Sequence, residues 1–167
     1  MTRTTAATTT AAAASTAAAR ATAPTEPPAE PPTGTDPLTR AQGIALLDGW
    51  TRLWNSDLAL ADGLIAPEFR LRFANSVPGT GSGATLDRPN LTAFIRAHRQ
   101  EHPGLMYAVD GPPVVDGARA EVAARWTATY TDGAGHPVTK SGIDLLAITD
   151  GRIAAVWSLT GDRRFAP

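Results

Sequence analysis

The sequence predicts an α+β fold in which three helices are followed by a curved, mostly antiparallel sheet wrapped on them, and three observations lead there. Apolar residues in segments 38–65 and 88–102 recur at three- and four-residue steps, the period of an amphipathic helix. From residue 105 onward, alternating runs are separated by Pro112-Pro113, Asp116-Gly117, Asp132-Gly133 and Asp150-Gly151, each a turn signal. The runs carry more apolar residues than one flat face needs. A sheet that curves to bury a concave face, with a small-molecule pocket inside, accommodates them.

The chain has 167 residues, and its first 37 are compositionally different from the rest. They hold 12 Ala, 11 Thr and 6 Pro and no Leu, Ile, Val or aromatic residue, so they cannot anchor a core and read as a disordered tail. A stretch of Ala and Thr is a poor export signal, and a cytoplasmic protein is expected. Residues 38–167 form the predicted domain. Asp36-Pro37 or Thr39 starts a first helix, because a side-chain oxygen satisfies a free N–H there and proline needs none. Ile44, Leu47, Trp50 and Trp54 lay an apolar stripe along it. After Asn55-Ser56, Asp57 caps a short second helix that Pro67 closes. Strand 69–75 follows, with Phe69, Leu71, Phe73 and Asn75 on one face and Arg70, Arg72 and Ala74 on the other. The glycine-rich stretch 79–83 fits neither the dinucleotide fingerprint nor the P-loop and reads as a loop. Asp87-Arg88-Pro89 opens a third helix with Leu91, Phe94, Ile95, His98 and His102 near one face, ended by His102-Pro103-Gly104. Strands are predicted at 105–109, 114–115, 119–131, 138–149 and 152–160.

Charge and composition exclude several functions. Fifteen basic against 16 acidic residues, with no basic run, offer nucleic acid or anionic lipid no electrostatic footprint. Without cysteine there is no thiolate nucleophile, disulfide framework or Cys-ligated metal. No apolar run reaches the ~18 residues needed to span a membrane.

The blocks Leu47-Asp48-Gly49-Trp50-Thr51-Arg52-Leu53-Trp54-Asn55-Ser56-Asp57-Leu58, Leu64-Ile65-Ala66-Pro67-Glu68-Phe69 and Gly142-Ile143-Asp144-Leu145-Leu146-Ala147-Ile148-Thr149-Asp150-Gly151-Arg152-Ile153, with Trp157, resemble the nuclear-transport-factor-2-like superfamily, and within it the SnoaL-like polyketide cyclase branch. The resemblance covers residues 40–163. It implies a cone-shaped α+β barrel of the cystatin-like kind, with the pocket inside the cone. The superfamily includes polyketide cyclases, ketosteroid isomerases, epoxide hydrolases and non-enzymatic binding domains, so the fold leaves the reaction open.

Asp144 is the leading catalytic candidate. It alternates with Gly142, Leu146 and Ile148, so it faces the interior if they do, and a carboxyl among apolar side chains is hard to ionise. Such a group exchanges protons near neutrality. The resemblance matches it to the acid/base aspartate of SnoaL-type cyclases and to the neutral, hydrogen-bond-donating aspartate of ketosteroid isomerases, itself a standard example of a shifted carboxyl. The alternative is a half-buried carboxyl satisfied by backbone or by Lys140 at the sheet rim. His98, one turn beyond Phe94 and Ile95, is the second catalytic candidate, as a partner of Asp144. His98 and His102 have the spacing of a helical metal pair, but no HExxH glutamate or clear third ligand accompanies them, so no metal or other cofactor is expected. His136 reads as a solvated turn residue.

Trp50, Trp54, Phe73 and Trp126 are expected to line the pocket, with Asn75 and Tyr107 as polar partners near its mouth, which suits a small apolar or aromatic substrate. Against the relatives, Trp50 stands where the isomerases place an oxyanion tyrosine, and Phe73 stands near their general base. Gly142 replaces the arginine of the epoxide hydrolase pair, while Val156 and Ser158 replace a histidine and an aspartate of cyclases. Two readings remain: a cofactor-independent cyclase, isomerase or lyase, and a non-catalytic small-molecule-binding or dimerisation module. A homodimer through the convex sheet face around Arg125, Thr127 and Thr129 is expected.

Overall fold

In the computed structural model, which describes residues 37–74 and 85–165, helix α1 (Arg40–Trp54) starts at Thr39. The Thr39 hydroxyl accepts from the Gln42 backbone N–H and the Gln42 side chain accepts from the Thr39 backbone, a capping box that satisfies two free donors. Of the two candidate caps, Thr39 is therefore used. Asp36, tail residues 1–36, the glycine-rich stretch 79–83 and the candidate Asn75 lie outside the described residues. Leu47, Trp50, Leu53 and Trp54 form the buried stripe of α1.

The next segment departs from expectation. Asp57 makes no capping hydrogen bond and pairs with Arg52 instead. A 3-10 turn (Leu58–Leu60) leads into a single helical turn, α2 (Ala61–Leu64), and strand β1 (Ile65–Phe73) begins before Pro67 rather than after it. The proline is tolerated because pairing with the last strand is irregular between Ile65 and Arg70, so its missing N–H takes nothing from the ladder. Beyond it, Phe69 and Leu71 are buried and Arg70 and Arg72 exposed, as the alternation predicts.

A short strand that the pattern did not reveal, β2 (Thr85–Asp87), pairs antiparallel with β1. Asp87 then caps α3 (Arg88–Glu101) by accepting from the Asn90 backbone N–H, with Pro89 in the first turn. Leu91 and Ile95 are its buried residues, and the chain leaves it through Gly104 at a φ of 73°. The remaining strands, β3 (Met106–Val109), β4 (Val114–Asp116), β5 (Glu121–Thr131), β6 (Pro137–Thr149) and β7 (Arg152–Gly161), fall close to the predicted bounds. Asp150 and Gly151 have φ of 50° and 69° and join β6 to β7 as the two-residue turn that matches strand twist.

The sheet order is β2-β1-β7-β6-β5-β3, with β4 also on β5. Every pairing is antiparallel except β1 with β7. Helix α1 packs on β3, β4 and β5, and α3 packs on β1 and β2, so the helices cover one face of the curved sheet. The core lies between the layers: Leu47, Leu53, Phe69, Leu71, Leu91, Ile95, Val122, Leu146, Ile153 and Val156 form one cluster with Trp50 and Trp54. No helix among the described residues is long and apolar enough to cross a membrane.

Candidate active site

The inward faces of α1, α3, β1, β3, β5, β6 and β7 leave a cavity of about 200 Å³. That is somewhat more than the ~150 Å³ known to admit benzene in an apolar site. Trp50, Trp54, Phe73, His98, Tyr107, Trp126 and Asp144 all line it, so every candidate among the described residues converges on one place. Its walls are aromatic. Trp54 packs edge-on against Trp50 and Phe94, and Tyr107 lies between Trp54 and Trp126 at centroid distances of 5.4 and 5.5 Å. The more exposed Lys140, Thr160 and Asp162 mark the polar mouth.

Asp144 sits at the inner end of this cavity, 7% exposed, on the β6 face it shares with Gly142, Leu146 and Ile148. Neither backbone nor Lys140 satisfies it, contrary to the alternative drawn from the sequence. Instead Trp50 Nε1 donates to Oδ2 at 2.8 Å and Trp126 Nε1 donates to Oδ1 at 2.9 Å. Ser158, its cross-strand neighbour on β7, adds a side-chain hydrogen bond. Burial raises the pKa of the carboxyl, and the Trp50, Ser158 and Trp126 hydrogen bonds oppose that rise without cancelling it. A protonated carboxyl keeps lone pairs on both oxygens, so both indoles stay bonded in either protonation state.

Gly142 makes the second indole contact possible. It is paired across the ladder with Trp126, and a side chain there would run into the Trp126 ring and the Leu159 carbonyl. The sequence places Gly142 on the Asp144 face and in the position of the epoxide hydrolase arginine, without revealing this packing role. The signal available was a glycine two residues before an inward-facing carboxyl on the same strand face, which marks close approach of another group.

His98 does not reach Asp144; this corrects the expected pairing. Its Nε2 lies 3.3 Å from the Tyr107 hydroxyl, and its ring stacks on Phe94. Burial first, then the charges of His102, Lys140 and Arg99, push His98 down to about 4, so the ring is neutral at pH 7. Burial and the nearby Asp144 push the Tyr107 hydroxyl up, so it stays a proton donor. Asn55 fixes the backbone of Tyr107, accepting its N–H at 2.8 Å and donating to its carbonyl at 2.9 Å. Trp54 keeps a buried N–H for which the described residues supply no hydrogen-bond partner. His136 is exposed, as expected of a turn residue, and its Nδ1 lies 3.4 Å from the Asp132 carboxylate in the β5–β6 turn.

The match with known proteins agrees with this architecture. The model of the SnoaL-like domain family matches residues 45–156. No curated protein matches the sequence. Among solved structures, IdmH from Streptomyces antibioticus, described as a candidate polyketide cyclase, superposes with a TM-score of 0.61 at 23% identity over 71% of this chain and 91% of its own. PrhC from Penicillium brasilianum gives 0.63 at 17% over 74% and 83%. AclR from Streptomyces galilaeus, described as a candidate hydroxylase, gives 0.59 at 18% over 75% and 82%. At such identities the likeness establishes the fold, and neighbours described by different reactions show that the fold alone does not choose one.

Proposed function

Because this chain belongs to the SnoaL-like domain family, we propose that it is a cofactor-independent cyclase, isomerase or lyase that moves a proton next to a carbonyl of an aromatic or polyketide-like small molecule in the cytoplasm. One observation carries the reading: a buried carboxyl, raised in pKa and held by two indole N–H groups, closes an aromatic cavity. A carboxyl shifted toward neutrality both takes and returns a proton at useful rates. In the proposed cycle the Asp144 carboxylate removes the proton from the carbon beside a substrate carbonyl. The Tyr107 hydroxyl, with neutral His98 behind it, donates a hydrogen bond to the enolate oxygen. Reprotonation at another carbon completes an isomerisation. Attack of the enolate carbon on a second carbonyl, followed by protonation of the new alkoxide by Asp144, completes a ring closure.

The test is a pH titration of the Asp144 carboxyl by carbon-detected NMR. A pKa well above the ordinary value of about 4 supports proton transfer, and a value near it removes the basis of the reading. The second reading, a non-catalytic binding module, is favoured by the occupation of both carboxyl oxygens, which makes Asp144 a satisfied structural hub.

We also propose a homodimer through the convex sheet face. Exposed Ile143 and Leu159 are cross-strand partners there, with exposed Trp157 nearby and Arg125 beside Ile143. Light scattering is expected to give twice the 17.4 kDa of one chain, and Leu159→Asp is expected to give single chains. A single-chain mass for the unaltered protein overturns the dimer.

A further inference from the structure

At the mouth of the cavity, the last turn of α3 carries a group of side chains that the proposed proton transfer does not require as a unit. His98, Glu101 and His102 each offer one ligand atom, and these atoms lie within 4.8 Å of one another. The two imidazole rings are 4.3 Å apart between centroids. From the sequence no clear third ligand is expected; the structure supplies one in Glu101, three residues after His98 on the same turn. The order His-x-x-Glu-His also occurs in one class of zinc enzymes, where the two histidines are the ligands; the Glu101 carboxylate joins them here on geometry alone. Residues three and four positions apart share a helix face, so Glu101 and His102 both come back to His98.

We propose that His98, Glu101 and His102 bind a first-row divalent metal ion, with zinc as the matching case, at the mouth of the aromatic cavity. The ring orientations fit that role. His102 Nδ1 lies 2.8 Å from the His98 carbonyl oxygen, so this nitrogen donates and Nε2 keeps its lone pair free. A backbone acceptor on the non-ligating nitrogen is the usual way a protein fixes a metal-binding imidazole. His98 is held by Tyr107 and by stacking on Phe94, and His102 by the edge-on ring of Tyr130. Both histidine rings are therefore positioned before an ion arrives. Bond lengths of about 2.0–2.1 Å bring tetrahedral ligand atoms to roughly 3.3 Å from one another, so the group must tighten, and the long, exposed Glu101 side chain can supply most of that movement.

Two imidazoles and a carboxylate suit zinc, nickel, cobalt or copper rather than magnesium or calcium. Three protein ligands also leave a position open, and since both histidines line the cavity, a bound small molecule can reach it. Two cations oppose the ion. Lys140, the only lysine of the chain, lines the same cavity, and Arg99 lies on the same turn with its guanidinium donating to the Trp54 carbonyl. Both act on His98.

The chain has three histidines, so binding can be assigned cleanly. The experiment is calorimetric titration of the full chain with zinc chloride in a non-chelating buffer. One zinc ion per chain is expected, with micromolar or tighter affinity. His98→Ala and His102→Ala should each weaken it by at least about ten-fold and Glu101→Gln by several-fold, whereas Lys140→Met should tighten it. His136→Ala should change nothing. Thermal melts without zinc identify any variant that loses its fold, and Glu101→Gln, at an exposed position, keeps the test decisive if His98→Ala does. Absence of saturable binding, dependence on His136, or an unchanged affinity in Glu101→Gln overturns the three-ligand site. His98 serves in both readings, but Asp144 is not a ligand, so the zinc titration and the Asp144 titration can fail separately.

Discussion

Asp144→Asn is expected to lower the rate of carbon-acid exchange, read by NMR as deuterium uptake beside the carbonyl of enolisable aromatic β-keto ester probes, by about 10²–10⁴-fold. The geometry makes this substitution more informative than an ordinary removal of charge. Both carboxyl oxygens accept an indole N–H, but an asparagine amide nitrogen cannot accept, so either Trp50 or Trp126 loses its partner. That loss costs about 1–3 kcal/mol, partly offset because a buried ionisable group is gone. The variant is therefore expected to fold with stability near that of the unaltered chain at pH 7. Exchange within a few-fold of the unaltered protein, with the fold intact, would move the assignment to the binding module.

The pH dependence has a definite sign. Burial gives Asp144 a higher pKa in the folded chain than in the unfolded one, so the folded chain holds the extra proton. The resulting stability is fully present below the unfolded carboxylate range, near 4, and is lost as pH rises through the folded value. One group changes stability by at most about 1.4 kcal/mol per pH unit across that window. Urea unfolding of the two proteins from pH 4 to pH 8 should show this contribution in the unaltered chain and not in Asp144→Asn. Parallel curves would show that Asp144 titrates alike in the folded and unfolded states.

Gly142→Ala carries the second large effect, by overpacking rather than by chemistry. A Cβ at residue 142 would sit well inside the contact distance of both the Trp126 ring and the Leu159 backbone carbonyl. Rotating the indole relieves only the first clash and breaks its hydrogen bond to Asp144, while the second needs the β6–β7 pairing to shift. Overpacking of this kind costs typically 1–3 kcal/mol, and loss of a hydrogen bond to a carboxyl adds to it, so roughly 3 kcal/mol is expected. For a domain of this size that corresponds to a fall in Tm of about 10 °C. Tryptophan fluorescence should shift as Trp126 leaves its site. An unchanged Tm and spectrum would show that Trp126 does not need the space above Gly142.

The elements most legible in the sequence are those whose causes lie within a few residues. The stripe of Leu47, Trp50 and Trp54, the Asp87 cap, the Asp150-Gly151 turn and the alternation of Gly142, Asp144, Leu146 and Ile148 all follow from local period and local hydrogen bonding. The same alternation placed Asp144 inside, and aromatic content anticipated the cavity wall. Where local rules failed, a distant partner had changed the balance. Pro67 lies within β1 because its irregular pairing with β7 leaves the missing N–H without consequence, and nothing near residue 67 encodes that pairing.

The site divides in the same way. Which residue types enter the cavity was determined by the sequence alone, because a side chain's face is set by its own strand or helix. Which of them bond to one another was decided only by the tertiary structure. Trp50 reaches Asp144 across 94 residues and Trp126 across 18, while His98, expected beside Asp144, meets Tyr107 instead. A hydrogen bond depends on donor and acceptor meeting within a few tenths of an ångström, and periodicity carries no information at that scale. Only the packing of helices on a curved sheet brings such distant atoms to that separation.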